Sequence, residues 1–275
     1  MKNSSKDVCI VGGGMGSLSA AIYLNKKGFN VSIYEKNSTL GGRANIIEEK
    51  GFKFDVGPSL LNYPWIFENL FKEAGEKMSD HIDLIEINSG VKFLWDDKET
   101  FTITSDFPRL SNEIARLEKS HINGLNSFLK INSQRYNIAF EKLLNRNLDN
   151  PVKWGTGLGA KELFSGSMFK SMYKDLGAHF KSRYIKEAFG SYAMYLGGSP
   201  FKIPGFFSIL PYGEIAYGLW MPKGGIYSLI EKLEEILIKI GVKIYKNSPV
   251  KEIAIKDTTQ LINRIVSQGQ IVISQ

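Results

Sequence analysis

The sequence predicts an α/β fold built on a parallel sheet, and three observations carry that prediction. A short apolar run, residues 8–11, passes directly into a glycine-rich turn at Gly12, Gly13, Gly14 and Gly16. An apolar-periodic stretch follows and stops at Gly28. A second β-rich run, residues 31–34, then ends on Glu35. Four consecutive apolar residues read as a strand buried on both faces, as in a parallel sheet. Met15, Leu18, Ala21 and Ile22 share one helical face, and a glycine at 28 suits the helix C-terminus. Strand, turn, helix and strand over this length make the unit that opens a dinucleotide fold.

Within that unit each residue type has a mechanical reason. Gly12 turns the chain sharply out of the strand. Gly14 lacks a Cβ, so backbone can approach a pyrophosphate held at the helix N-terminus, where unpaired N–H groups and the dipole favour an anion. Gly13, Met15 and Gly16 complete the turn, and Ser17 stands where the fingerprint's third glycine falls. The Glu35 carboxylate, with Lys36 after it, is placed to accept both hydroxyls of an adenosine ribose, and its charge repels a 2′-phosphate. Six residues on, Gly41-Gly42-Arg43 offers a flexible pair followed by a guanidinium able to fold back to the pyrophosphate. That arginine favours FAD over NAD. A glycine-rich turn alone is weak evidence, whereas the ordered set is much stronger.

Four stretches together resemble the bacterial phytoene desaturase family. They are residues 8–43, Phe54-Asp55-Val56-Gly57-Pro58-Ser59, Tyr195-Leu196-Gly197-Gly198-Ser199-Pro200, and residues 217–225 around Trp220 and Gly224-Gly225. These are FAD-dependent carotenoid desaturases within a wider amine-oxidase-like flavoprotein group. The first stretch marks the wider group, and the last two narrow it to the carotenoid branch. The resemblance implies a Rossmann-like FAD-binding domain with a parallel sheet plus an inserted α+β substrate domain. Its expected boundaries are residues 1–78 and 223–275 for the former and 79–222 for the latter. It also places Gly57 and Pro58 beside the flavin and has Val250 hold the adenine through its main chain. The implied substrate is a long apolar isoprenoid. Family members continue well past Gln275, so a C-terminal remainder is expected to be missing.

Composition excludes several other classes. With 275 residues, 43% of them apolar, the chain can bury a substantial core. Cys9 is the only cysteine and lies in the first strand, so it is expected to be a small buried hydrophobe. No disulfide framework is possible, which suits a reducing cytoplasm. His81, His121 and His179 fit no metal-ligand spacing. The apolar N-terminal run is broken by glycines and reads as nucleotide fold, not signal peptide. No uncharged stretch is long enough to span a bilayer. A net charge of +7 permits peripheral contact with an anionic membrane, and no nucleic-acid motif is present.

Along the remaining chain, residues 44–54 read as short extended segments and Pro64 opens a helix whose buried face is Ile66, Phe67, Leu70, Phe71 and Ala74. Residues 91–104 form a hairpin with its polar turn at 96–99. In that turn Asp96 and Asp97 are expected to be solvated, not catalytic. Residues 111–148 suggest two or three surface helices, and residues 150–159 a break. Fourteen aromatics crowd residues 161–220, where Phe164, Met168, Met172, Leu176 and Phe180 recur every fourth residue among lysines. That pattern fits either a core helix or a basic face that docks on a membrane. Residues 197–225 are expected to be irregular, residues 226–240 an amphipathic helix, and residues 242–245 and 250–253 strands.

Read as chemistry, this is a hydride acceptor beside an apolar channel. No nucleophile motif stands out, and the residues name no acid or base. The expected reaction is FAD-dependent desaturation of a linear carotenoid precursor such as phytoene or dehydrosqualene. The alternatives are a flavin-dependent isomerase or oxygenase, or a prenyl- or FAD-binding protein without redox chemistry.

Overall fold

A computed structural model describes residues 7–88, 90–144, 167–254, 264–267 and 270–272. The elements begin with β1 (Asp7–Val11), α1 (Met15–Lys26), β2 (Asn30–Tyr34), β3 (Asn45–Glu49), β4 (Phe52–Val56), α2 (Pro64–Glu73) and β5 (Leu84–Glu86). There follow β6 (Lys92–Leu94), β7 (Thr100–Thr102), α3 (Phe107–Leu117), α4 (His121–Ile138), α5 (Met172–Leu176), α6 (Arg183–Gly190) and α7 (Ile209–Tyr217). The last are β8 (Trp220–Pro222), α8 (Tyr227–Lys239), β9 (Lys243–Tyr245), β10 (Val250–Ala254), β11 (Arg264–Ser267) and β12 (Gln270–Val272). The chain divides into two compact units, residues 1–86 with 220–275, and residues 87–219.

The first unit is built on a parallel sheet of order β1-β2-β9, with Ile10 opposite Ile33 and Ile33 opposite Ile244. Its core is supplied by Leu18 and Ile22 of α1, Ile33 of β2, and Leu229, Ile230 and Leu233 of α8, all fully buried. Each such side chain contributes about 1.5–3 kcal/mol on leaving water. Gly241, with φ +90°, stops the chain after α8 in a conformation that L side chains rarely adopt. Two expectations fail in this unit. β1 is not buried on both faces: its residues are half-buried or exposed, and among the described residues it pairs only with β2. Cys9 is accordingly only half-buried, although burial still raises its thiol pKa. The segment after Arg43 is more regular than expected: β3 and β4 pair antiparallel across a two-residue turn. Lys50 and Gly51 in that turn both have positive φ, the geometry that matches strand twist.

The second unit has a different core. Phe128 lies 5.7 Å from Phe180 and 5.1 Å from Phe189, ring centre to ring centre, and Phe101 joins the cluster through Phe189. α3 and α4 were expected on the surface. Instead they bury Leu110, Ile114, Leu125 and Phe128 completely, so their charged residues are only the outer face. The β6–β7 hairpin forms with Phe93 opposite Phe101. Its turn is pinned to α6: Asp97 accepts hydrogen bonds from the Tyr184 hydroxyl and Arg183, both 2.6 Å. The Tyr184 hydroxyl, then the Glu99 N–H and Arg183, hold its carboxyl below the usual range.

The four-residue stripe is also resolved. Met172, Leu176 and Phe180 are core, but the helix is only Met172–Leu176 and Phe180 lies beyond its end. Phe164 and the 150–159 break lie outside the described residues. Residues 209–217, expected to be irregular, form α7, because Pro211 falls in the first turn where its missing N–H is not needed.

Glu214 of α7 is buried, and its Oε1 has no partner among the described residues. Burial raises its carboxyl pKa above the ordinary 4.5, and the neighbouring Tyr192 opposes that rise. The unfolded chain therefore ionises first, so this group's contribution to stability is present below pH 4.5 and is lost as pH rises through the raised folded value. Glu214→Gln is expected to raise the urea midpoint at neutral pH and to flatten its decline above pH 4.5. An unchanged slope would show that Glu214 does not ionise in this window.

Candidate nucleotide-binding site

The glycine-rich turn after β1 is held from both sides. Gly12 donates its N–H to the Tyr34 carbonyl (2.8 Å), tying the turn to the end of β2. Glu35 lies beneath it, buried, and its two carboxylate oxygens accept the Gly13 N–H (2.6 Å) and the Asn37 N–H (2.8 Å). A side chain at Gly13 would run into Leu40 and the Glu35 carboxylate. The second glycine pair docks on the first: Gly41 donates to the Gly13 carbonyl (2.8 Å), and a Cβ at Gly42 would stand 3.2 Å from the Gly14 Cα.

α1 starts at this turn with no side-chain cap on Gly14, and the space above Gly14 and Gly16 is open. That helix start faces a cavity of about 790 Å³. Gly14, Met15, Gly16, Gly41, Arg43 and Ala44 line one part of it, and Gly57 and Pro58 another. The rest of the wall is Leu60, Leu61, Asn62, Phe67, Ile226 and Leu229. Gly57 (φ +116°) is required where it stands, because a Cβ there would overlap the Arg43 carbonyl. Its backbone therefore supports the chain that presents Arg43.

Asp55 closes the far side. Its carboxylate accepts the N–H groups of Ile226 (2.7 Å) and Tyr227 (3.2 Å), capping α8 from across the chain. This cap places Ile226 and Leu229 in the cavity wall. Asp55→Ala is expected to cost about 1 kcal/mol of stability, the scale of a lost N-cap. A melting temperature unchanged within error would refute the capping role.

Seven of the residues singled out from sequence thus share one cavity: Gly14, Met15, Gly16, Gly41, Arg43, Gly57 and Pro58. Gly12, Gly13, Gly42 and Glu35 do not line it but hold the glycine turn in place. Ser17 sits in the first turn of α1 and donates its N–H to the Gly14 carbonyl (2.9 Å). Lys36 is exposed and does not line the cavity. Val250 opens β10 opposite Ser267, two residues beyond Ser248, whose N–H donates to the Glu35 carbonyl (2.7 Å). Sequence reasoning missed the Asp55 cap and the apolar wall from Leu60 to Leu229. Asp55 stood in a quoted motif, but nothing local shows a partner 171 residues away.

The cavity lies within the ~300–1,000 Å³ of small-molecule and cofactor sites. An uncapped helix start, close-approach glycines and a guanidinium at its edge form a donor set for a phosphate-bearing ligand. The residues present fit a dinucleotide.

Residues 10–74 match a family model described as an NAD(P)-binding Rossmann-like domain. The chain is 32% identical to phytoene desaturase from Phycomyces blakesleeanus over 98% of its length and 46% of that protein's. It is 32% identical to 4,4′-diapolycopen-4-al dehydrogenase from Metabacillus indicus over 90% of the chain and 50% of that protein. It is 30% identical to 4,4′-diapolycopene oxygenase from Methylomonas sp, over 99% of the chain and 56% of that protein. A solved Pyrococcus furiosus structure superposes with a TM-score of 0.59 at 17% identity, covering 95% of this chain and 55% of that one. Putrescine oxidase gives 0.58 at 15% identity, covering 96% and 55%. These two structures support the fold: a Rossmann-like α/β domain. The chain spans about half the length of the curated relatives it matches. By sequence, the chain is similar to phytoene desaturase and to the 4,4′-diapolycopene-type dehydrogenase and oxygenase named above.

Proposed function

We propose that the chain holds FAD and serves the desaturation of a linear carotenoid precursor such as phytoene or dehydrosqualene. The observation that carries this is the cavity joining α1's open N-terminus, Arg43 and an apolar wall, in a chain related to carotenoid oxidoreductases. Bound FAD supplies a hydride acceptor. The first-turn N–H groups of α1 and Arg43 would hold its pyrophosphate. Each Glu35 oxygen accepts one backbone N–H and keeps a lone pair for a ribose hydroxyl. Gly57 and Pro58 would flank the ring system, and Val250 the adenine. Ser17 would border the phosphate end from the first turn of α1, and Lys36 would stand outside the cavity at the ribose end. Leu60, Leu61, Phe67, Ile226 and Leu229 exclude water from one wall. Peripheral attachment to the cytoplasmic membrane belongs to the same reading, since a lipid-soluble polyene is delivered at a bilayer surface. No helix among the described residues is long and apolar enough to cross a membrane.

A second reading, oxygenation of a carotenoid end, is favoured by the Methylomonas relative's name. Product analysis separates the two. The chain, supplied with FAD and substrate-loaded liposomes, is expected to shift absorption to longer wavelengths as conjugation grows and to lower product mass by two hydrogens per step. Added oxygen mass supports the oxygenase. Unchanged double-bond number indicates isomerisation, and a chain that releases no flavin on denaturation overturns the redox reading.

A further inference from the structure

The second unit presents rings to solvent that its own core does not use. Phe169 is 76% exposed and Phe201 65% exposed, whereas Phe128, Phe180 and Phe189 are completely or almost completely buried. Together with Met168, these two rings line a surface cleft of about 330 Å³, and Lys170, Lys174 and Lys202 line it with them. Among the described residues, no carboxylate lines the cleft. The neighbouring Asp175 is turned inward to Arg135 (2.6 Å) and is almost wholly buried. A further cation lies close by: the Lys186 ammonium stands 5.1 Å over the Tyr173 ring, which itself packs 4.7 Å from Phe201.

The two exposed rings are held on one fixed piece of backbone. Ser171 bridges Pro204, Met172 donates to the Ile203 carbonyl (2.7 Å), and Gly205 donates to the Lys170 carbonyl (2.7 Å). Segment 168–172 therefore lies beside segment 200–205, and Phe169 and Phe201 keep their spacing without a ligand. Exposing two preorganised aromatic side chains is unfavourable in water and is offset when something apolar covers them.

We infer that this cleft docks on an anionic lipid bilayer, with Phe169 and Phe201 entering the headgroup–acyl boundary and the lysines reaching phosphate. Three lysines among the cleft's lining residues argue for lipid over a second copy of the chain, because protein–protein interfaces are depleted in lysine. Long lysine stems lay methylenes along an apolar surface while their ammonium groups stay at the polar layer. The docking face is not the stripe read from sequence, whose Met172, Leu176 and Phe180 are core. The inference rests on the membrane attachment included in the proposed function and assigns it a face; it needs neither flavin nor turnover, so it and the redox reading fail separately.

The test is co-sedimentation of the full chain with vesicles of phosphatidylcholine alone or with one-third phosphatidylglycerol. Binding is expected only to the anionic vesicles. The triple variant Lys170→Glu/Lys174→Glu/Lys202→Glu should lower that binding on the order of a hundredfold. Phe169→Ser/Phe201→Ser should weaken it without changing net charge. A control with the same charge change elsewhere, Lys27→Glu/Lys50→Glu/Lys243→Glu, should retain most of the binding, and circular dichroism should show all variants folded. Equal loss in the control and the triple variant would overturn the cleft as the docking face, as would absence of binding by the unaltered chain. Concentration-dependent dimerisation abolished by Phe169→Ser/Phe201→Ser would assign the cleft to a second copy instead.

Discussion

Asp175→Ala is expected to destabilise the chain by about 3–5 kcal/mol, because it leaves the Arg135 guanidinium buried without its counter-charge. The pair is bidentate: Arg135 Nη1 and Nη2 donate to the two Asp175 carboxylate oxygens at 2.6 and 3.0 Å. Arg135 also donates to the Asn132 side-chain oxygen (3.1 Å) and the Gly205 carbonyl (3.4 Å). The two side chains are only 14% and 8% exposed, so water replaces little of what is lost. This one cluster joins α4, α5 and the turn before α7, which is why its loss is expected to be felt across the second unit. Urea unfolding measures the effect. The double substitution Arg135→Met/Asp175→Leu should recover most of it, since removing both charges removes the desolvation cost as well. A loss below 1 kcal/mol for Asp175→Ala would show that the guanidinium finds other partners.

Glu35→Ala is expected to cost about 1–3 kcal/mol of stability and to weaken nucleotide retention more than stability alone explains. The carboxylate is buried and satisfies the Gly13 N–H inside the turn that starts α1, so its removal strands a buried donor within that turn. Glu35→Gln tests the two roles separately. Its single side-chain oxygen can still accept one N–H, so stability should fall less than for alanine, while the paired acceptor geometry for a ribose is lost. Equal melting temperatures and equal flavin retention in all three proteins would refute both roles.

The contrast between these two sites shows what a sequence can reveal. The Glu35 site lay within one strand–helix–strand unit, where residue order fixes proximity: glycines after a strand, an acid at the end of the next. Its purpose was only half legible. Position 35 was expected to face a ribose, whereas the structure shows it also supports the turn from below. The Asp175–Arg135 pair, the Asp55 cap on α8 and the Phe128 cluster are tertiary events. Their partners are 40 or more residues apart, and no local period encodes them. Periodicity misled in a physically simple way. α3 and α4 carry many charges and were read as surface, but a helix needs only one apolar stripe, here Leu110, Ile114, Leu125 and Phe128, to be core. The reverse error came from β1, where four apolar residues suggested a strand buried on both faces and the structure leaves them half-buried or exposed.

The account rests on a phosphate-bearing cofactor seated where α1 begins. Its most direct test is an experimental structure of this chain soaked with FAD. The pyrophosphate is predicted within hydrogen-bond distance of the N–H groups between Gly14 and Ser17, with Arg43 against it and the ring system beside Gly57 and Pro58. Saturating FAD that leaves this cavity filled with water, or that binds away from the α1 N-terminus, would contradict it.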